Sequence, residues 1–334
     1  MIERSGSKNV GLIIPGTNND RILKIAPGDN IPSAGLKYKE QIEMALIGNT
    51  VKPKKLVVAF SGADHAEIDD ALNALADENV SYAAVSTQTE TVASKVVSWV
   101  KEQREIGKNI KAVLPENAAD NEAVINFSTE SVSIVDKSYT AEQFCARMAG
   151  LFAGTPITES ATYAVLPEAT DCTRMSKKEM DSAIDAGKLI LFYEDGEVRV
   201  ARAVNSFTTK TDEKGDQYKK IKLVDIMDTI KSDLRSTIRN EWIGKKANAY
   251  DNKCLLISAI QGYMDDLVLQ NVLESATVEI DINGNKQYLE QNGVDTTDMS
   301  SDDIKKANTG DKVYLVANIK MNDAIEDVTL EISI

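Results

Sequence analysis

The amino-acid sequence predicts an α/β fold, α+β overall, with a layered first part followed by long helices and a small β-sheet. Strand and helix patterns alternate between residues 55 and 115, an order typical of a parallel sheet covered by helices. Two long amphipathic helices follow after residue 220. The chain closes on VTLEISI, where Val328, Leu330, Ile332 and Ile334 alternate with polar residues, and this period of two predicts a strand.

The first half of the chain contains the alternating elements. An early strand over residues 10–14 ends at the Pro15-Gly16 turn, and a short helix is expected over residues 38–47. Three apolar runs predict strands, and the two stretches between them each place apolar residues on one helical face; the runs are KLVVAF, VSYAAVS and IKAVLP. Strands joined through helices in this way pair in parallel.

The second half begins with a helix around Phe144 and Met148, which Gly154 is expected to end. KLILFYEDGEVRVARAVNSF predicts a β-hairpin that turns at residues 194–196. Apolar residues at helical spacing predict one long helix around residues 226–242 and another over residues 254–272. A strand at ATVEIDI, a short helix at SSDDIKKAN and two closing strands, DKVYLVANIKMN and EDVTLEISI, complete the prediction.

The composition is that of a globular protein with an acidic surface. The 334 residues carry a formal net charge of −14, so the basic surface that nucleic-acid phosphates require is not expected. The three cysteines, Cys145, Cys172 and Cys254, are far apart and odd in number, which argues against a disulfide framework. With no long apolar run and no secretory signal at the start, we expect no membrane insertion.

His65 is the single histidine, and Ser61 and Asp64 lie near it in the sequence. A Ser-His-Asp triad needs side chains that converge from separate loops, and three residues within one turn rarely achieve this geometry. We therefore expect no catalytic residues here. Asp64 is expected instead to cap a helix that begins near His65, where its carboxylate would accept free amide protons.

No cofactor or metal ion is predicted. The sequence has neither GxxxxGK[ST] nor GxGxxG after a strand, the usual phosphate-binding patterns of α/β folds. The acidic pairs at residues 69–70, 265–266 and 302–303 lack the DxDxDG pattern of a calcium loop, and one histidine with scattered cysteines cannot supply a transition-metal site. These pairs are expected to be solvated surface charges.

Several segments resemble the contractile tail sheath proteins of bacteriophages and phage-tail-like bacteriocins, and they occur in the order found in that family. They are AGLFAGTPITESATY, VRVARAVNSFTT, the run from YKKIKLVDIMDTI to AIQGYMDDL, and ANTGDKVYLVANIKMNDAIEDVTLEISI. Before residue 138 the similar stretches, such as KAVLPENAADNEAVINFSTE, are shorter. The sequence looks most like the short sheath proteins of Gram-positive defective prophages and Clostridium-type R bacteriocins.

The resemblance implies a structural subunit without enzyme activity. Sheath subunits of this family stack as six-membered rings around an inner tube, and the sleeve contracts to drive the tube through a target cell envelope. The implied partners are other copies of the chain, the inner tail tube protein, and the baseplate and tail terminator proteins, with no nucleic acid bound directly. The implied location is a phage tail or phage-tail-like particle, assembled in the bacterial cytoplasm and released on lysis.

The resemblance also implies a division into domains. We expect a short N-terminal strand within residues 1–18 that packs with the C-terminal half, and an α/β outer domain over residues 19–137. Residues 138–334 form the expected sheath core and C-terminal domain, in which residues 311–334 are the terminal strands and arm. In this family the layered α/β part is subtilisin-like in topology only, and the small β-sheet is completed by terminal arms.

The arms of the family link neighbouring subunits by adding strands to this small sheet, which is β-augmentation. The expected inter-subunit strand residues are therefore Val328, Leu330, Ile332 and Ile334. Family members usually carry a longer segment before the stretch that matches IERSGSKNVGLIIPG, whereas only residues 1–9 precede the first strand here. We therefore expect a short N-terminal arm and poor assembly.

By position along the chain, the helix at SSDDIKKAN is the candidate for contact with the tube. Lys305 and Lys306 could face acidic groups of the tube, and an ordinary solvated helix end is the alternative. Two other functions stay open: an α/β protein that binds a small molecule at its strand ends without assembling, and the sheath of another contractile injection system, which is usually split between two different chains.

Overall fold

The computed structural model describes residue 2, residues 8–18 and residues 20–333. The strands in chain order are β1 Val10–Ile14, β2 Ile22–Ile25, β3 Leu56–Phe60, β4 Tyr82–Val85, β5 Lys111–Pro115, β6 Val124–Phe127, β7 Ser131–Ile134, β8 Lys137–Thr140, β9 Asp171–Cys172, β10 Lys188–Leu189, β11 Leu191–Glu194, β12 Glu197–Val200, β13 Leu273–Ile280 and β14 Leu315–Met321. The α-helices are α1 Lys39–Ala45, α2 Ile68–Ala76, α3 Glu90–Glu105, α4 Ala141–Ala153, α5 Lys177–Asp185, α6 Ile221–Thr237, α7 Tyr250–Leu269, α8 Ile282–Gln291 and α9 Ser301–Lys306.

A seven-stranded, mostly parallel sheet has the order β10-β6-β5-β4-β1-β3-β2. β1 pairs in parallel with β3 and β4, β4 pairs with β5, and β5 pairs with β6, whereas β2 runs antiparallel to β3 at one edge. The mixed α/β architecture and the parallel pairing expected from residues 55–115 are therefore confirmed.

Helices cover both faces of this sheet, which explains why its inner strands β1 and β3 are apolar throughout. Leu12 and Ile14 of β1 belong to a core that includes residues of α1 and α4. Ile13, between them, belongs to a second core with residues of α2 and α3. Because neighbouring side chains of a strand point to opposite faces, a strand buried on both faces is a continuous apolar run.

Glycine lets α4 pass close to α1. A Cβ atom on Gly150 would lie 2.2 Å from the carbonyl oxygen of Ala45, so a larger residue does not fit at this position. Arg147 of the same helix is fully buried and donates a hydrogen bond to Gly48 O at 2.9 Å. Gly154 is the C-terminal cap of α4, which confirms that the AGTP stretch ends a helix.

The chain divides into two compact units. Of the described residues, the sheet unit contains residues 8–18, 20–228 and 324–333, and the ribbon unit contains Ile2 and Thr229–Asp323. The sheet unit also holds a three-stranded sheet, β8-β7-β9, and the predicted hairpin, β11-β12. In the ribbon unit, β13 and β14 form an antiparallel pair, here called the ribbon, and α7 packs against β13. Within the described residues, no helix has the length and apolar content needed to cross a bilayer.

A short N-terminal strand that packs with the C-terminal half was expected within residues 1–18. β1 lies inside the seven-stranded sheet, where its ladder partners are β3 and β4, and α4 packs against it. Its unbroken apolar sequence suits this position because both of its faces are buried. β10 pairs with β6, so the sheet includes residues on both sides of position 137. The three-part domain division stays a prediction.

Candidate assembly site

The C-terminal arm, residues 322–333, has no secondary structure in the single chain. The strand predicted at EDVTLEISI is therefore wrong for the single chain, because an extended segment needs a hydrogen-bonded partner to become a strand. Val328, Leu330 and Ile332 leave 81%, 77% and 76% of their surfaces exposed. Ile334, the fourth expected strand residue, lies outside the described residues. The arm thus presents apolar side chains that its own chain does not cover.

Within the arm, Glu326 is held in place by side-chain contacts, and its side chain is 13% exposed. Its carboxylate accepts hydrogen bonds from Thr162 Oγ1 at 2.6 Å and from the Arg202 guanidinium at 3.1 Å. Lys220 Nζ donates a further hydrogen bond at 3.1 Å. Asp327 forms a second ion pair with Arg202. Polar contacts therefore hold the arm as far as Asp327, and the alternating apolar residues follow directly.

Segments that carry the family resemblance converge on this carboxylate. Thr162 comes from AGLFAGTPITESATY, Arg202 from VRVARAVNSFTT, and Lys220 from the start of the third segment. Thr162 Oγ1 also accepts a hydrogen bond from the backbone N–H of Ala203 at 3.0 Å, which holds the first two segments side by side. Burial alone lowers the pKa of Arg202, but the two arm carboxylates offset this and raise it. The sequence pattern carries no signal for Glu326, since its partners are distant along the chain.

The ribbon is the second candidate surface. It has two strands, so each strand has one edge that faces away from the other. The N–H and C=O groups of such an edge can pair with another extended segment. Side chains of β14 are also exposed, with Val316 at 37% and Ile319 at 38%. The ribbon therefore has both the backbone groups and the apolar surface that an added strand needs.

Lys305 and Lys306 lie at the end of α9, the predicted short helix. A capping box between Ser300 and Asp303 fixes the beginning of this helix. Lys306 is exposed, with its Nζ 6.0 Å from the ring centroid of Tyr250, and Lys305 is half-buried. The contact of these lysines with a tube stays a prediction.

His65 belongs to a buried hydrogen-bonded chain. Ser61 Oγ donates to Ile14 O at 3.0 Å, so the 2.7 Å contact between Ser61 Oγ and His65 Nδ1 takes its proton from the imidazole. The other ring nitrogen then accepts from the Thr87 hydroxyl at 2.9 Å. Burial lowers the pKa of His65, which favours this neutral form. A buried serine that donates its proton to a carbonyl oxygen is not poised as a nucleophile.

The expectation that Asp64 caps a helix is wrong. Ala63–His65 is a short 3₁₀ turn in which Asp64 has a φ of +47°, and α2 begins only at Ile68. The N-terminal cap of α2 is Glu67, without a side-chain hydrogen bond. The extra turn moves Asp64 away from the free amide groups at the start of α2.

The acidic pairs form ordinary surface contacts. Asp69 pairs with Lys95 at 2.6 Å, and Asp70 pairs with Arg21 at 2.8 Å. Asp303 accepts hydrogen bonds in the capping box of α9. In the part of the chain that the structure describes, no three His, Cys, Asp or Glu side chains are grouped to hold a metal ion.

A buried cluster of charges at the start of α6 has no counterpart in the sequence patterns. Lys111 Nζ lies 2.9 Å from Asp225 and 2.5 Å from Asp228. Arg104 donates two parallel hydrogen bonds of 2.9 Å to Asp228. The hydroxyl of Tyr82, at the amino end of β4, donates to Asp225 at 2.7 Å. The cluster ties the start of α6 to the sheet and to α3.

Known proteins with a similar sequence or fold include tail sheath proteins. The phage tail sheath protein central domain matches residues 61–206, and the phage tail sheath C-terminal domain matches residues 213–334. The tail sheath protein of Clostridium phage phiCD119 is 37% identical over 339 residues, covering 99% of this chain and 94% of the relative.

Solved structures show the same fold at low sequence identity. The crystal structure of the sheath tail protein from Desulfitobacterium hafniense has a TM-score of 0.70 at 18% identity, covering 83% of this chain and 91% of that chain. The helical sheath of the anti-feeding prophage in its contracted state has a TM-score of 0.72 at 13% identity, covering 99% and 94%. From the domain matches and the full-length relative, this chain is a member of the phage tail sheath proteins, which are structural subunits of contractile tails and not enzymes.

Proposed function

We propose that this chain stacks as six-membered rings around an inner tail tube and that contraction of the resulting sleeve drives the tube through a target cell envelope. The unpartnered arm carries the proposal, because Val328, Leu330 and Ile332 alternate along a segment that is exposed on every side in the single chain. A strand of this kind suits pairing with another copy. The baseplate and tail terminator proteins would bind at the two ends of the sleeve.

In such a sleeve the arm of one copy adds a strand to the ribbon of another. Backbone hydrogen bonds supply affinity, and the alternating side chains set the register. Full burial of one Val, Leu or Ile side chain contributes about 1.5–3 kcal/mol. Ordering the backbone costs about 1–2 kcal/mol per residue. A single arm is therefore a weak link, and its strength comes from repetition around every ring.

The finer domain assignment belongs to the same proposal. The layered α/β region over residues 19–137 would be the outer, subtilisin-like part of the subunit, and residues 138–334 would form the core of the sleeve. The two-stranded ribbon would be the small sheet that the arms complete. Rigid bodies could then change their mutual contacts on contraction while the arms keep them linked.

Electron microscopy of the purified full-length chain, alone and with its inner tube protein, tests the assembly. We expect rings or striated tubes in the presence of the tube protein. A chain that remains a monomer at high concentration in the presence of the tube protein would contradict the proposal. A ligand-dependent rise in melting temperature would then favour a small-molecule-binding protein.

Charge reversal tests the tube contact. We expect Lys305→Glu with Lys306→Glu to weaken co-assembly with the tube protein, because the lysines would face acidic groups there. The control is Lys177→Glu with Lys178→Glu, an exposed adjacent pair in α5. Equal co-sedimentation of both double variants with tubes would remove the proposed contact.

A further inference from the structure

We propose that Gln261 closes the outer edge of β13, so that the C-terminal arm of a second copy adds to the outer edge of β14. This choice of edge rests on the proposed function, since it requires that arms join copies of the chain. Gln261 is then a specificity-determining residue for assembly, because it leaves one edge of the ribbon for the incoming strand.

Gln261 lies on α7 and binds the backbone of β13 as an added strand would. Its side-chain Nε2 donates to Ala276 O at 3.0 Å, and its Oε1 accepts from the backbone N–H of Val278 at 3.0 Å. The backbone partners fix which atom is nitrogen and which is oxygen, because a carbonyl group can only accept and an N–H group can only donate. Nε2 also donates to Asp265 Oδ1 at 2.7 Å, one helical turn away, which holds the amide in place.

The alternation of antiparallel hydrogen bonds shows which groups of β14 remain open. Ala276 and Val278 turn backbone groups away from β14 and towards Gln261, and their partners across the ribbon are Ile319 and Ala317. In an antiparallel pair, two residues directly opposite one another either both point their N–H and C=O groups towards the other strand or both point them away from it. Ala317 and Ile319 therefore point their N–H and C=O groups away from β13. Among the described residues, no hydrogen bond to these outward groups is found.

The side chains of the arm match this edge. Ala276, Val278 and Ile280 lie on the more buried face of β13, whereas the residues between them are exposed. Ile319, across the ribbon from Ala276, shares that face and is 38% exposed. A strand added beside β14 with its apolar residues on this face would extend the apolar surface over Ile319. The polar residues of the arm, at positions 329, 331 and 333, would then lie on the exposed face.

Disulfide cross-linking in assembled sheaths tests the edge directly. A cysteine is placed in the arm in turn at Val328, Leu330 and Ile332, and each is combined with Ala317→Cys on β14 or with Ala276→Cys on β13. Directly opposite residues in a ladder are close enough for a disulfide. We expect inter-chain cross-links with Ala317→Cys for at least one arm position and none with Ala276→Cys, read as multimers on non-reducing gels. Cross-links at Ala276→Cys would overturn the inference.

The Gln261→Ala variant tests whether the Gln261 amide is what closes the outer edge of β13. Removing the amide opens β13, so we expect cross-links at Ala276→Cys to appear and the Val278 amide of the free subunit to exchange hydrogen about tenfold faster, which corresponds to about 1.4 kcal/mol. Gln287→Ala, at an exposed position of α8, is the control and should change neither readout. Unchanged exchange at Val278, or a β13 edge that gives no cross-links in Gln261→Ala, would overturn the role of Gln261.

The outcomes separate this inference from the proposed function. Sheaths that form and cross-link at neither edge overturn the edge assignment and leave the sheath function standing. A wild-type chain that forms no rings or tubes with its tube protein contradicts the proposed function itself.

Discussion

The Asp225→Asn substitution is expected to destabilise the sheet unit more than any surface change of the same charge. Asp225 is nearly buried, and its carboxylate lies 2.6 Å from Lys8 Nζ and 2.9 Å from Lys111 Nζ. Asparagine keeps the shape of the side chain and can still accept a hydrogen bond from the Tyr82 hydroxyl. It removes the negative charge that lies between the ammonium groups of Lys8 and Lys111. Lys111, with 3% of its side chain exposed, would keep Asp228 as its remaining partner.

The magnitude follows from burial and from the pKa of the carboxyl group. Removing one partner of a buried ion pair lowers the unfolding free energy by about 3–5 kcal/mol. Because Lys111 keeps its contact with Asp228, we expect a loss of about 3 kcal/mol here. Burial raises the pKa of Asp225, but the charges of Lys111 and Lys8 outweigh burial and lower it from 3.8 to about 2. Since the folded-state pKa is the lower one, ionised Asp225 stabilises the fold above about pH 4. That contribution, about 2 kcal/mol, is lost as the pH falls towards 2.

Guanidinium unfolding at pH 7 and at pH 3 measures both effects. In a Trp242→Phe background, the buried Trp99 of α3 is the one remaining tryptophan, so its fluorescence reports on the sheet unit. Asp212→Asn, at an exposed position, controls for the change in net charge. The reasoning is refuted if Asp225→Asn costs no more than Asp212→Asn at pH 7, or if it leaves the loss of stability on acidification as steep as in the parent chain.

Three further predictions concern packing, protonation and the arm. Gly150→Ala should lower the unfolding free energy by about 1–3 kcal/mol, because the added Cβ would meet a carbonyl oxygen of α1. Gly262→Ala, whose Cβ would enter open space beside α7, should raise it by about 0.5–1 kcal/mol. Burial lowers the pKa of His65, so the stability it contributes is present above pH 6.5 and falls below it; His65→Gln should flatten that slope in urea titrations. Glu326→Ala should lower the unfolding free energy by about 1.5–3 kcal/mol because it removes hydrogen bonds to a charged group, and Glu331→Ala, at an exposed position, should leave it unchanged.

Each of these predictions has a result that contradicts it. Equal melting temperatures for the two glycine variants would show that α4 can move away from α1 without cost. A His65→Gln variant that keeps the full slope below pH 6.5 would assign the titration to another group. Equal unfolding free energies in the Glu326→Ala and Glu331→Ala variants would show that the carboxylate of Glu326 does not fix the arm.

The layered α/β part was predictable because its signals are local. Apolar runs such as KLVVAF and IKAVLP mark strands that are buried on both faces, and the helices between them carry one apolar stripe each. A missed helix, α5, also had a local signal: Ser176 and Glu179 form a capping box, which is visible in the sequence as SKKE. The sequence of α8, INGNKQYLEQ, gives a weaker helix signal because it contains glycine and asparagine, which are weak helix formers.

The contacts that the sequence did not predict join residues far apart in the chain. Glu326 meets Arg202, 124 positions away, and Lys8 meets Asp225, 217 positions away. Charged residues are common on every surface, so their pattern does not show which of them will be buried together. The prediction of a terminal strand was wrong for the single chain for another reason. Its alternation is a strand-forming pattern, but no described part of its own chain supplies the partner that a strand requires.

The most direct test of the account is removal of the free part of the arm. A chain that ends at Asp327 keeps the contacts with Arg202 and loses residues 328–334, of which 328–333 are exposed in the structure. We therefore expect its melting temperature to stay within about 2 °C of the full-length value, because little buried surface is lost. Electron microscopy should show no rings or tubes from this chain under conditions in which the full-length chain assembles. Normal sheaths from the shortened chain, or its unfolding, would contradict the account.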